Sequence, residues 1–251
     1  MGTICTTAAF ADPWNESERQ AIYAAREGAA QLVAAHERKW AELWQGDIEI
    51  EGDPTAQLDV RFALFNLYGS IREGSRRSIP PMGLSARGFY NGHIFWDSEI
   101  WMYPALLVLR PCLARQMLDY RTDGLDAARR RAYAHGYRGA MFPWEGDDRG
   151  EEATPTFALT GPLEHHITAD IAIASWNYYC VTQDREWLRR EGFPLMREAA
   201  RFWCDRVTAN ADGSYSIRNV IGANEYAVGV TDNAFTNGAA RRALEYASAA
   251  A

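Results

Sequence analysis

Apolar residues recur at helical spacing along almost the whole chain, and no stretch alternates helices with long strands as a parallel sheet would require. An all-α fold follows, because amphipathic helices must bury their stripes against one another. Asn15 reads as an N-cap with Glu18 as its box partner. The spacing then predicts one long helix to about Gln45, with Ile22, Ala25, Ala29, Leu32, Val33, His36, Trp40 and Leu43 on one stripe. A second helix opens at Asp53-Pro54 and runs to about Glu73, its apolar side carrying Leu58, Phe62, Phe65 and Tyr68 or Ile71. Further helices are expected from Ser98 to Leu109 (kinked or started by Pro104), from Pro111, over Leu125–His135, Glu164–Val181 and Arg185–Val207, and from Asp232. Residues 3–10 read as a short strand, and Asp212-Gly213 as the turn of a small hairpin.

Helices joined in this way form either a bundle or a closed ring of helical hairpins. The alternation of short and long connections favours the ring, with its long loops gathered at one end. The longest, Gly136 to Gly161, holds Trp144, Glu145, Asp147, Asp148, Glu151 and Glu152, and a loop of this length in a helical domain is commonly functional.

Charge and cysteine usage narrow the partners. With 26 Lys and Arg against 33 Asp and Glu the net charge is −7, which argues against a phosphate backbone. Arg129-Arg130-Arg131 reads as a solvated helix face. No apolar run is long enough to span a bilayer, and Met1 to Ala11 lacks the basic start of a signal peptide. Cys5, Cys112, Cys180 and Cys204 are far apart, so neither a zinc site nor a disulfide framework is indicated; three of them sit in apolar helical surroundings, as small hydrophobes do.

The chemistry lies in the loops. Gly83 to Trp101 places Arg87, Trp96 and Asp97 within a few residues, and the chain holds nine Trp. Aromatic faces beside carboxylates suit sugars, whose C–H faces stack on rings while their hydroxyls bond to acceptors. Asp97 also reads as a helix N-cap and Trp96 as a core anchor. Two more loops pair acids with aromatics: Trp144-Glu145 and Glu225-Tyr226. Glycoside cleavage with inversion needs a protonated acid at the leaving oxygen and a carboxylate that activates the nucleophile on the opposite face. Glu225, between apolar segments, suits the acid, since partial burial would raise its pKa; an exposed turn is the competing reading. His166 and Asp170 lie one helical turn apart and could hold a metal with His165, but a third ligand is wanting, and no metal site or cofactor is assigned. His93 stands alone, as a packing or loop-bonding residue.

At Gly-His-Ile-Phe-Trp-Asp-Ser-Glu-Ile-Trp-Met-Tyr-Pro (92–104) the sequence resembles family 65 of the glycoside hydrolases. Gly-Tyr-Arg-Gly-Ala-Met-Phe-Pro-Trp-Glu (136–145), His-His-Ile-Thr-Ala-Asp-Ile (165–171), Gly-Ala-Asn-Glu-Tyr (222–226) and Thr-Asp-Asn-Ala-Phe-Thr-Asn (231–237) agree in order. The resemblance implies an (α/α)6 barrel, a helical toroid, that cleaves α-glucosides with inversion by hydrolysis or phosphorolysis. It implies Glu225 as general acid, Arg87, Trp96 and Asp97 as the grip on the non-reducing glucose, and Trp144 and Glu145 toward the leaving sugar. Phosphorylases of the family tend to read Pro-Asp-Glu-Tyr-His around the acid. Ala-Asn-Glu-Tyr-Ala here is more similar to the hydrolase branch, including kojibiose-type α-glucosidases.

Fewer helices are readable than a closed ring needs. The chain is therefore expected to be a fragment: residues 1–12 a remnant of an upstream β-domain, 13–78 linker helices, and 79–251 the first part of an incomplete barrel. The general base and the rest of the catalytic domain would lie elsewhere, leaving the isolated chain inactive. The expected ligand is a kojibiose- or trehalose-like disaccharide or another small oligosaccharide. Inorganic phosphate enters as a co-substrate only if the enzyme is an inverting disaccharide phosphorylase. A non-catalytic sugar-binding helical domain is the remaining alternative. The sequence leaves the compartment open.

Overall fold

The computed structural model describes residues 2–7, 9–85 and 88–251. Two compact units make up the chain, Met1–Gln57 and Leu58–Ala251. In the first, the expected long helix is two: α1 (Pro13–Glu27) and α2 (Ala29–Leu43). Gly28 separates them at φ +80°, a left-handed angle that glycine adopts without a Cβ clash. The N-cap is Asp12 rather than Asn15: its carboxylate accepts from the Asn15 N–H at 3.0 Å. Pro13 takes the first helical position, where a missing N–H costs nothing. The strand expected over 3–10 does not form among the described residues, which find no neighbouring strand to ladder with.

Helix α3 (Pro54–Ser70) leads into the second unit. A π-helical turn, Ser98–Met102, precedes α4 (Tyr103–Leu109), and α5 (Pro111–Asp123) and α6 (Leu125–Ala134) follow. After the long loop come α7 (Thr160–Leu163), α8 (Ile167–Thr182), α9 (Arg185–Trp187), a second π turn (Leu188–Gly192) and α10 (Phe193–Arg206). A hairpin pairs β1 (Thr208–Ala209) with β2 (Tyr215–Ser216) antiparallel, with Asp212-Gly213 between them as predicted. Helix α11 (Ala234–Ala250) closes the chain, capped by Asn233, whose side chain accepts from the Thr236 N–H at 3.0 Å. Pro104 falls in the first turn of α4, and the π turn before it adapts the register, with the Tyr103 N–H donating to the Ser98 carbonyl.

Helix α8 is the centre. Ile167 to Ala172 are all buried, so this helix has no solvent face at its N-terminal end. It packs against the first π turn, α4, α5, α10 and α11. Ala169 and Ala172 of α8 share a core cluster with Ala239, Ala240, Ala243 and Ala247 of α11, and these small side chains let the two backbones approach closely. Met196, Phe202 and Trp203 of α10 fill the same cluster. Apart from the hairpin and isolated bridges, the regular secondary structure of the described residues is helical, as the helical ring requires, and long irregular loops join the helices.

Packing redirects several surfaces. Leu58, Phe62 and Phe65 of α3 are exposed and Leu64 is buried instead, whereas Tyr68 and the following Ile71 are buried as expected. Both faces of α3 are apolar, so periodicity alone does not choose between them. Cys180 and Cys204 are exposed rather than core hydrophobes, and all four cysteines are free. Arg130 is solvated, but Arg131 is buried: its guanidinium donates to the Phe142 carbonyl at 2.7 Å and to that of Gly161, and pairs with Glu152 at 2.6 Å. One cation thus pins both ends of the long loop to α6. No helix among the described residues is long and apolar enough to cross a membrane.

Candidate active site

Three helices begin at one place. Trp96 lies just before the first π turn, His166 caps α8 and Phe235 is in the first turn of α11. Their rings touch: Trp96 to His166 at 4.7 Å between centroids, Trp96 to Phe235 at 5.7 Å and His166 to Phe235 at 4.8 Å, all close to edge-on. Since α8 packs along both α4 and α11, the three run side by side from this cluster.

Short backbone bridges hold the intervening loops there. Ile94 and Gly146 exchange two hydrogen bonds of 2.8 Å, which brings Trp144-Glu145 to Trp96-Asp97. The Ile221 N–H donates to the Leu163 carbonyl at 3.0 Å, and Val220 exchanges bonds with Val230. These fix both ends of the segment carrying Glu225 beside Glu164 and α11. Asp232, at φ +54°, accepts from the Ile217 N–H at 3.0 Å and the Ser216 hydroxyl at 3.0 Å, so the hairpin is tied to the same turn.

Asp97 makes no side-chain cap bond, which removes the capping reading. Burial raises its carboxyl above the ordinary value. Glu225 is exposed as a residue, yet partial desolvation raises its carboxyl as well; the Asp97 charge adds to this and His166 opposes it. Asp97 and His166 therefore each lie near enough to act on the charge of Glu225. Trp144 is buried against Trp96, Phe95 and His166 and forms the wall behind Trp96 rather than an open platform. Glu145 pairs with His93 at 2.9 Å, which gives the lone histidine its partner. Arg87 lies outside the described residues.

Glu164 and Phe235, neither singled out as a candidate in the sequence, complete the cluster with the His166–Asp170 pair, which meets one helical turn apart as its spacing predicts. Glu164 and Asp170 flank His166, accepting at Nε2 (2.9 Å) and Nδ1 (2.8 Å), and all three are fully or almost fully buried. Burial opposes the imidazolium, but these bonds and the two adjacent charges outweigh it and push His166 up to about 9. Glu164 was in plain view two positions before a histidine already paired in sequence with Asp170, but its approach to His166 depends on the turn before α8. Phe235 stood inside a quoted motif with no polar group to mark it. Behind them, Glu99 and Arg121 form a two-pronged buried ion pair at 2.7 and 2.9 Å. Among the described residues, no group of three His, Cys, Asp or Glu is placed to hold a metal ion.

This arrangement offers an exposed carboxyl of raised pKa, a second raised carboxyl acting on it, and an indole backed by packed rings. Residues 61–251 match the family described as the glycosyl hydrolase family 65 central catalytic domain. The chain belongs to glycoside hydrolase family 65. Within that family it is 51% identical over 251 residues to the kojibiose hydrolase of Mucilaginibacter mallensis, covering 100% of this chain and 37% of that protein. It is 43% identical over 222 residues to the kojibiose phosphorylase of Halothermothrix orenii, covering 82% of this chain and 28% of the other. A solved structure from the human microbiome, proposed to be a kojibiose phosphorylase, superposes with a TM-score of 0.86 at 23% identity. It covers 96% of this chain and 33% of that one, and shows that the family 65 helical fold is shared. The chain spans about a third of the length of the curated relatives it matches.

Proposed function

We propose that this chain supplies the acid side of an inverting α-glucosidase site, with Glu225 as the proton donor to the glycosidic oxygen. The observation that carries the reading is the electrostatic contact of Glu225 with Asp97, next to Trp96 in the cluster where three helices begin. A general acid must hold its proton until the leaving oxygen takes it, and both partial desolvation and a neighbouring carboxylate favour that state. Trp96 and Asp97 then grip the non-reducing glucosyl unit by stacking and hydroxyl bonding, with Arg87 as a further donor. Glu145, held by His93, faces the leaving sugar, and Trp144 supports the indole from behind.

A kojibiose-like disaccharide is the substrate this reading favours. Hydrolysis is preferred to phosphorolysis because identity is higher to the kojibiose hydrolase (51%) than to the kojibiose phosphorylase (43%), and because Ala-Asn-Glu-Tyr-Ala surrounds the acid. No residue of this chain is assigned as the water-activating base. In the intact protein carrying this sequence, Glu225→Gln is expected to lower kcat on kojibiose by about 10²–10⁴-fold. Turnover of the parent protein should not depend on inorganic phosphate. Wild-type turnover in the variant would remove Glu225 from the mechanism, and strict phosphate dependence would make the enzyme a phosphorylase.

A further inference from the structure

His166 belongs to no step of the proposed reaction, yet it is the most constrained histidine in the site. Both ring nitrogens face carboxylate oxygens, Glu164 at 2.9 Å and Asp170 at 2.8 Å. A neutral imidazole has one N–H to give, and two carboxylate acceptors require two donors. Among the described residues the remaining oxygens, Glu164 Oε2 and Asp170 Oδ1, have no hydrogen-bond partner, and the ring nitrogens are the donors to those carboxyls. Three aromatic rings, Trp96, Phe235 and Trp144, close around the imidazole edge-on and keep water from it.

We propose that His166 is a positioning residue: a buried imidazolium, held between Glu164 and Asp170, whose charge sets the pH range over which Glu225 keeps its proton. The proposal rests on the assignment of Glu225 as general acid. A cation in water-excluded surroundings acts over a longer reach than one at the surface. The other charges that act on the triad or on Glu225 come from each neighbouring element: Glu225 itself from the loop before α11, Asp97 (on Glu225) and Glu99 from the first π turn and its cap, and Arg121 from α5. Helix α11 contributes the uncharged Phe235, and Arg206 of α10 bonds to His165 instead. Arg121 is already committed to Glu99, so among the described residues of this cluster His166 is the cation that acts on Glu225, whose loop is bridged at Ile221 to Glu164. Without it, Asp97 and Glu164 would hold the Glu225 proton too firmly for release to the leaving oxygen.

The test is the basic limb of kcat/KM against pH in the intact protein, the limb on which a general acid loses its proton. His166→Gln removes a cation, so the limb is expected to move up by about 0.5–1 pH unit. Glu164→Gln removes an anion and leaves the imidazolium less neutralised, so the limb is expected to move down. Opposite shifts are a signature that a purely structural role does not produce. Shifts in the same direction, or none, in folded variants overturn the proposal. If His166→Gln does not fold, Glu164→Gln decides alone, together with the nitrogen NMR signals of the His166 ring, expected to be those of an imidazolium at pH 7.5; a neutral ring there overturns it. Glu225→Gln separates the two readings. If the basic limb survives in that variant, the general-acid assignment fails; if the limb disappears there but ignores both charge variants, only the role of His166 fails.

Discussion

The imidazole of His166 meets the indole of Trp96 edge-on, their planes 79° apart, although one caps α8 and the other precedes the first π turn, far apart in the chain. Through that contact the buried polar interior of the helical unit reaches the aromatic cluster where three helices begin. Trp96 is half-buried, backed by Trp144 and flanked by Phe235 and Trp101, so its orientation is set by packing on several sides. An aromatic side chain held in this way has little conformational freedom left to lose on binding a ligand.

The pair Glu99–Arg121 lies directly behind this wall with both side chains at most 1% exposed. Arg121→Met is expected to destabilise the protein by about 3–5 kcal/mol, because it strands a buried carboxylate. The double variant Glu99→Leu with Arg121→Met should recover most of that loss. Chemical denaturation checks both, and a double variant no better than the single one would show that the pair contributes more than mutual neutralisation.

His165 gives a pH dependence of definite sign. Its Nε2–H donates to the Pro162 carbonyl at 2.8 Å and its Nδ1 accepts from Arg206 at 3.1 Å, partners that fix the neutral ring. Burial pushes its pKa down to about 3 from 6.5, with Arg206 adding to the shift. The unfolded chain therefore takes up a proton below about pH 6.5 that the folded chain refuses until about pH 3. Stability is complete above that window and falls as the pH drops through it, with a slope of up to about 1.4 kcal/mol per pH unit. Thermal melts from pH 7 to pH 4 should show this slope, and His165→Gln, which keeps a donor and an acceptor but does not titrate, should flatten it.

Gly222 opens the segment carrying Glu225, and a Cβ there would sit 2.5 Å from the side chain of Asn233. Asn233 caps α11, so Gly222→Ala should displace the cap and cost about 1 kcal/mol, much as Asn233→Ala does directly. Because the two act through one contact, the double variant is expected to be less destabilised than the sum of the singles, a non-additivity that melting temperatures would reveal.

Gly139 lies where the long loop crosses α10, at φ +77°, and a Cβ would come within 2.2 Å of the Glu198 carbonyl oxygen. Backbone cannot give way as a side-chain tip can. Gly139→Ala is expected to cost at least about 2 kcal/mol, whereas the same change at Gly136, whose Cβ would meet nothing within 4 Å, should cost less. Denaturant midpoints for the two variants provide the comparison.

The sequence by itself determined what depends on neighbours along the chain. Pro and Asp at helix starts, Asp-Gly in the hairpin turn and the apolar periodicity placed most helices to within a few residues, and the wording around Trp96, Trp144 and Glu225 placed the chain in its family. Tertiary structure alone decided which apolar face of α3 is buried, that Arg131 is an anchor for the long loop, and that Glu164 closes on His166 opposite Asp170. The physical reason is the same in each case. Burial and charge coupling are set by residues that meet only after distant helices pack, and a lone Glu or Arg in sequence carries no mark of the partner it will find.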